Sequence, residues 1–308
     1  MRRINSLMVL LLCGFLMPPL VNSAALTTAY FRFQSDDATI VSKLAREADS
    51  IAQEIIDDLG LPLQKSVDVI IASGVEQFHR IQPEGSHVPS WAVGVAYPSM
   101  NLIILLSPKE HQRGRIDLTK TFRHELMHIM LGQAFKGKEQ VPRWLDEGLA
   151  MIAAQEWSVS RLSTMTFAVL GRNLIPMDEI TASFPWDPNQ AEIAYCESFY
   201  FISFLKGKFG SDAFKQFLRE YTRHKDFHQA IRSAYATRWQ EMEKLWLSYL
   251  RLRFSWIPLI TSSTTLWFLA ALIFLAGYIR KRRMNRLKLA EWKKEEELLF
   301  PQDKHRYH

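Results

Sequence analysis

The chain has 308 residues, 48% of them hydrophobic, and a net charge of +6 from 38 Lys and Arg against 32 Asp and Glu. Arg280 to His308 holds ten basic against five acidic side chains, and Arg2 and Arg3 add two more, which leaves residues 24–256 at −1. The basic pI is thus a property of the ends; a nucleic-acid-binding face is not indicated, and with only Cys13 and Cys196 there is no disulfide framework.

In chain order, Met1 to Ser23 reads as a secretory signal peptide. Arg2 and Arg3 form its positive start, Leu7 to Leu16 its apolar stretch, and Val21 to Ala24 its cleavage region. Leu26 to Phe33 reads as a strand. Asp36 and Asp37 are candidate caps for a helix whose apolar positions, from Ile40 to Leu59, repeat at helical spacing until Gly60 and Pro62. Val67 to Ala72 reads as a buried strand and Val75 to Ile81 as a short helix. Trp91 to Tyr97 and Leu102 to Leu106 form a hairpin through Pro98 to Asn101.

Thr119 to Leu131, TKTFRHELMHIML, contains no Pro or Gly, has Thr119 or Thr121 as a candidate N-cap, and meets Gly132 as a stop. As a helix it places His124 and His128 one turn apart on one face, with Glu125 between them, amid Phe122, Leu126, Met127, Ile129 and Met130. Burying two imidazoles and a carboxylate is costly unless they are paired. A metal resolves this: neutral imidazoles ligate Zn²⁺, and the carboxylate stays free as a base. Without a metal, the pair would be a satisfied core pair.

A catalytic zinc site needs a third protein ligand. Separated from His128 by eighteen residues, Glu147 stands early in a second helix that starts after Pro142, and the gap lets that helix return antiparallel. The plainer role for Glu147 is a carboxylate favoured by the helix dipole. His79, His87 and His111 are at no metal-ligand spacing and read as surface or loop residues.

Ser160 to Leu170 is read as a helix and Arg172 to Gln190 as a long loop. Further helices are expected at Ala191 to Phe209, Ser211 to Thr222, Phe227 to Tyr235 and from about Arg238. Cys196 reads as a buried thiol rather than a nucleophile. Ile257 to Ile279 carries no charged residue and is followed by Arg280-Lys281-Arg282-Arg283, the pattern of a transmembrane helix with a cytoplasmic C-terminal end. The basic tail beyond it is expected to be solvated and mostly disordered, with a cytoplasmic partner as a second reading.

HELMH, then eighteen residues, then Glu147 inside Trp144-Leu145-Asp146-Glu147-Gly148-Leu149-Ala150 resembles the gluzincin zinc metallopeptidases, and among them the peptidase MA-like domains related to zinc aminopeptidases and thermolysin. The resemblance implies His124, His128 and Glu147 as ligands of one Zn²⁺ and Glu125 as general base. It also implies Tyr195 as a hydrogen-bond donor to the oxyanion, and an edge strand, here Trp91 to Val95, that binds an extended peptide. The chain departs from the thermolysin pattern four residues after Glu147: Met151 stands where an Asp would orient the first histidine.

The expected architecture is α+β and zincin-like, with a small N-terminal sheet, the His-Glu-x-x-His helix and a helical C-terminal lobe, followed by one transmembrane helix. Its divisions are a signal at 1–23, an extracytoplasmic peptidase MA-like domain at 24–256, the span at 257–279 and a cytoplasmic tail at 280–308. The expected function is hydrolysis of peptides or proteins by a membrane-anchored zinc peptidase, single-pass in the cell membrane with its N-terminal domain outside the cytoplasm. The alternative is a catalytically silent, zinc-stabilised module that binds a peptide or partner of the cell envelope.

Overall fold

The computed structural model describes residues 24–86, 88–109, 116–137, 141–254 and 263–299. The described fold is α+β, mostly helical with one small sheet. It divides into two compact units: one comprises Met1–Met165 and Leu174–Trp246, the other Thr166–Asn173 and Leu247–His308.

In the first unit the sheet has the order β1-β2-β3-β5-β4. The stretch expected as one strand from Leu26 is a hairpin of β1 (Ala24–Thr27) and β2 (Phe31–Ser35). The bend between them is held by Asp49, which accepts from Thr28 Oγ1 at 2.7 Å and from the Ala29 and Tyr30 amides. That carboxylate belongs to α1 (Ala38–Leu59), so local strand propensity yields to a tertiary contact. Asp37 caps α1 by accepting from the Thr39 and Ile40 amides, and Gly60 closes it with a left-handed φ of 66°.

β3 (Val67–Ala72) and β5 (Leu102–Leu106) run parallel to β2 and are buried on both faces, as their continuous apolar runs require. One face packs on α2 (Val75–Arg80) through Phe78, Ile70 and Ile104. β4 (Gly94–Tyr97) pairs antiparallel to β5 and forms a sheet edge. The turn between them is a 3-10 turn, Pro98–Met100, ended by Asn101 at φ 51°.

The metal-motif helix, α3, is Leu118–Phe135. Its cap is Asp117, not Thr119 or Thr121, and it runs through Gly132 to a left-handed Lys136. Gly132 serves packing rather than termination: a Cβ there would lie 2.3 Å from Pro98 Cβ, so the missing side chain lets the helix approach the hairpin turn.

α4 (Arg143–Ala153) follows Pro142. After α5 (Val159–Gly171), the expected long loop contains a short α6 (Glu179–Ala182). α7 (Pro188–Phe209) begins three residues ahead of expectation, because Asp187 caps it and Pro188 is tolerated in a first helical turn. α8 (Ser211–His224) and α9 (Phe227–Tyr235) complete the first unit's helices, with α10 (Trp239–Phe254) beginning in it. Their core is aromatic: Phe201 lies edge-on to Trp144 at 5.1 Å and to Trp246 at 5.3 Å.

The expected transmembrane helix is corrected. Among the described residues no helix is long and apolar enough to cross a membrane. The helix found there, α11, spans Ser263–Leu299 and belongs to the second unit. Its uncharged part ends at Ile279, so at ~1.5 Å per residue it extends roughly 25 Å, short of a hydrocarbon core of about 30 Å. The single-pass localisation built on that span falls with it. The described part of the tail, Arg280 to Leu299, is helical rather than disordered: α11 continues through these charged residues, a run rich in Lys, Glu, Leu and Arg, which are good helix formers. The signal stretch, residues 257–262, His87 and His111 lie outside the described residues.

Candidate metal centre

α3 carries His124 and His128 one turn apart, with ring centroids 5.0 Å apart. α4 returns beside it and brings Glu147 Oε2 to 3.8 Å from His124 Nε2. One ligand atom from each of His124, His128 and Glu147 lies within 4.8 Å of the other two. His128 and Glu147 are buried, while His124 opens to a cleft.

Each of these three side chains has a charged neighbour behind it. His128 Nδ1 lies 2.6 Å from Asp146 Oδ1, and His124 Nδ1 lies 2.9 Å from Glu156 Oε1. A carboxylate on Nδ1 holds the proton there and leaves the Nε2 lone pair free for a metal. Glu147 Oε1 accepts from Arg143 Nη2 at 2.7 Å. Arg161 in turn holds Glu156, with Nη2 at 3.1 Å from its Oε2 and Nη1 bonded to its backbone carbonyl.

Burial of Glu156 disfavours its charge, but His124 and Arg161 outweigh that and hold its carboxyl below the ordinary range. Burial also works against a charged His128, yet the carboxylates of Asp146, Glu147 and Glu125 lift it to about 9.

The helix end places Glu156. α4 closes with Gln155 in the left-handed region at φ 53°, its amide bonded to Ile152 O and the Glu156 amide to Met151 O at 2.9 Å. This paired closure turns the chain back by one residue and aims Glu156 at His124. Met151, at the position of the missing Asp, is buried and apolar and lines the cleft.

The cleft has a volume of about 520 Å³ and is lined by Trp91 to Gly94, Thr121, His124, Glu125, Glu147, Glu156, Glu192 and Tyr195 among others. Gly94 is bare because α3 presses on it: a Cβ would lie 2.5 Å from Thr121 Cγ2 and 2.8 Å from Glu125 Oε1. Burial raises the Tyr195 pKa and Glu147 adds to this, while the Arg143 guanidinium bonded to it opposes the rise.

The residues fit a zinc ion. Two imidazole nitrogens and one carboxylate oxygen converge, the donor set of a three-ligand zinc site. The carboxylates of Glu125, Asp146, Glu147, Glu156 and Glu192 around this cleft outnumber the guanidiniums of Arg143 and Arg161, a surplus of negative charge that favours a bound cation.

The family model of the Peptidase MA superfamily matches residues 47–252. The chain belongs to this superfamily. The match takes in both motif helices, α3 and α4, and the first unit's helices beyond them. The uncharacterised protein YhcO of Bacillus subtilis is 26% identical over 133 residues, 41% of this chain and 38% of that protein. Among solved structures, native yeast LTA4 hydrolase aligns with a TM-score of 0.44 and 13% identity, covering 73% of this chain and 38% of the other. A point mutant of the M1 zinc metallopeptidase from Deinococcus radiodurans aligns with a TM-score of 0.42 and 17% identity, covering 73% and 51%. The chain thus spans about two-fifths of YhcO and about half or less of these structures.

For this Peptidase MA member, the structure brings His124, His128 and Glu147 together, sets Glu125 beside them, and places Tyr195 on the same cleft. His79 lies exposed on α2, away from the cluster, and Cys196 is buried, its thiol pushed up to about 12 by that burial and by Glu192. Sequence reasoning missed Glu156, Arg143 and Arg161, and named Asp146 without a role. The only signal for Asp146 was its place one residue before Glu147; Glu156 had none, since its position depends on a left-handed residue at a helix end.

Proposed function

We propose that the chain is a zinc peptidase that hydrolyses peptide bonds in the cleft beside α3 and α4. The observation that carries this is the convergence of His124, His128 and Glu147 with Glu125 at the same cleft and a carboxylate behind each imidazole. Zinc bound there would supply Lewis acidity, lowering the pKa of a water and polarising the scissile carbonyl. Glu125 accepts the proton of the attacking water as its oxygen adds to the carbonyl carbon, then delivers that proton to the amine nitrogen as the C–N bond breaks. Tyr195 donates a hydrogen bond to the oxyanion of the tetrahedral species. The β4 edge and the residues before it, Trp91 to Val95, take the extended substrate by strand addition, a reading supported by Trp91 to Gly94 lining the cleft at the end of the sheet order.

The silent-module alternative drew its support from Met151 in place of an orienting Asp. Glu156 on His124 supplies that orientation and supports the peptidase reading instead.

The test is zinc content by elemental analysis, with hydrolysis of an internally quenched peptide library, for the full chain and Glu125→Gln. About one zinc per chain in both, with turnover in the wild type alone, is the expected result. A folded chain that takes up no zinc when supplied with it would overturn the proposal.

A further inference from the structure

Arg143 occupies the first turn of α4, four residues before Glu147, and no feature of the motif draws attention to it. Its Nη2 donates to Glu147 Oε1 at 2.7 Å, and its Nη1 lies 3.8 Å from Asp146 Oδ2. Its charge also acts on the Tyr195 phenol, which shares the cleft wall. The guanidinium lies over the Phe184 ring at 5.7 Å, and that ring meets Tyr195 edge-on at 4.8 Å. One planar cation, about two-thirds withdrawn from solvent, therefore reaches the carboxylate facing His124, the carboxylate behind His128, and the phenol on the cleft wall.

A guanidinium has five N–H donors and no acceptor, so at each contact its partner must accept. At Glu147 the contact engages Oε1 and leaves Oε2 as the oxygen 3.8 Å from His124 Nε2. A guanidinium beside the Tyr195 phenol can only donate to its oxygen, which leaves the phenol proton for an acceptor in the cleft that Tyr195 lines. The fork of donors is what allows both contacts at once; an ammonium is a point charge on a flexible stem.

We propose that Arg143 is a positioning residue that fixes Glu147 as a one-oxygen metal ligand and Tyr195 as a hydrogen-bond donor into the cleft. The metal site and the oxyanion site are then set by one side chain. The Tyr195 half rests on the peptidase reading; the Glu147 half does not.

The test uses the full chain as wild type, Arg143→Met, Arg143→Lys, Tyr195→Phe and the double variant Arg143→Met with Tyr195→Phe. Zinc affinity is measured by competition with a chromophoric chelator, and kcat and KM are measured at saturating zinc on the quenched peptide library. Arg143→Met is expected to lose about 10- to 100-fold in zinc affinity, Tyr195→Phe to lose none, and Arg143→Lys to recover part of the loss. At saturating zinc, Arg143→Met lowers kcat at least about ten-fold with KM little changed, and in the Tyr195→Phe background the same substitution costs less than about two-fold. Zinc affinity unchanged in both Arg143 variants overturns the proposal, as do kcat losses that multiply in the double variant. With no turnover from the zinc-loaded wild type the peptidase reading fails by itself, and an unchanged zinc affinity in Arg143→Met still overturns the role at Glu147.

Discussion

Glu156 reaches His124 from beyond the end of α4, and its own charge is secured by Arg161. Removing it leaves the His124 ring without its Nδ1 partner while the three ligand atoms stay in place. Glu156→Ala should therefore weaken zinc binding by about 10- to 100-fold without unfolding the chain, as chelator competition and a thermal melt will show. Glu147→Ala differs in kind, since it removes a ligand; metal content at micromolar free zinc should drop to near zero. Of these side chains, the two histidines, Glu125 and Glu147 were readable because their roles follow from helical spacing within a motif. Glu156 was not, because it depends on Gln155 adopting a left-handed conformation that no residue type there demands.

At the scale of elements, α3 is wedged against β4 at Gly94 and against the hairpin turn at Gly132. Gly94→Ala would drive a methyl group into Thr121 and Glu125, so turnover should fall by at least ten-fold, on the order of 1.4 kcal/mol in the barrier, with zinc content retained. Kinetics with metal analysis on the same preparation checks this.

α7 carries a second buried carboxyl, Glu197, whose Oε1 accepts from the Ile175 amide at 2.7 Å and so ties the chain after α5 to this helix. Burial pushes its pKa to about 8, against an ordinary 4.5, although the Ile175 amide opposes the rise. Between those values the folded chain holds a proton that the unfolded chain has lost. This contribution to stability is fully present below about 4.5 and is lost as pH rises through about 8. It amounts to at most about 5 kcal/mol. Glu197→Gln, which keeps the acceptor, should flatten the fall of the melting temperature from pH 5 to 8 and raise stability at pH 8.

For the whole molecule, every residue of the metal centre and its cleft lies in the first compact unit, and α11 lies in the second. Removing Arg280 to His308 should therefore leave zinc content and peptide turnover within about two-fold of the full chain. Loss of either would show that the charged half of α11 supports the site.

Local chemistry in the chain determined the two motif helices, the candidate ligands, the buried strands β3 and β5 and most element types, because helical and strand periodicities and the caps at Asp37 and Gly60 act over a few residues. Tertiary contact decided the rest. Asp49 on α1 bent the first predicted strand into a hairpin, and the close approach of Pro98 gave Gly132 a packing role inside α3 instead of a terminating one. The carboxylates behind the two imidazoles arise where α3 meets α4 and the turn at Gln155, a juxtaposition that no spacing in the sequence encodes, whereas Arg143 stands at helical i,i+4 spacing from Glu147. The span failed for a related reason. An uncharged run suggests a crossing, but among the described residues the helix there covers only Ser263–Leu299, and its length of continuous apolar surface decides whether it can span a bilayer.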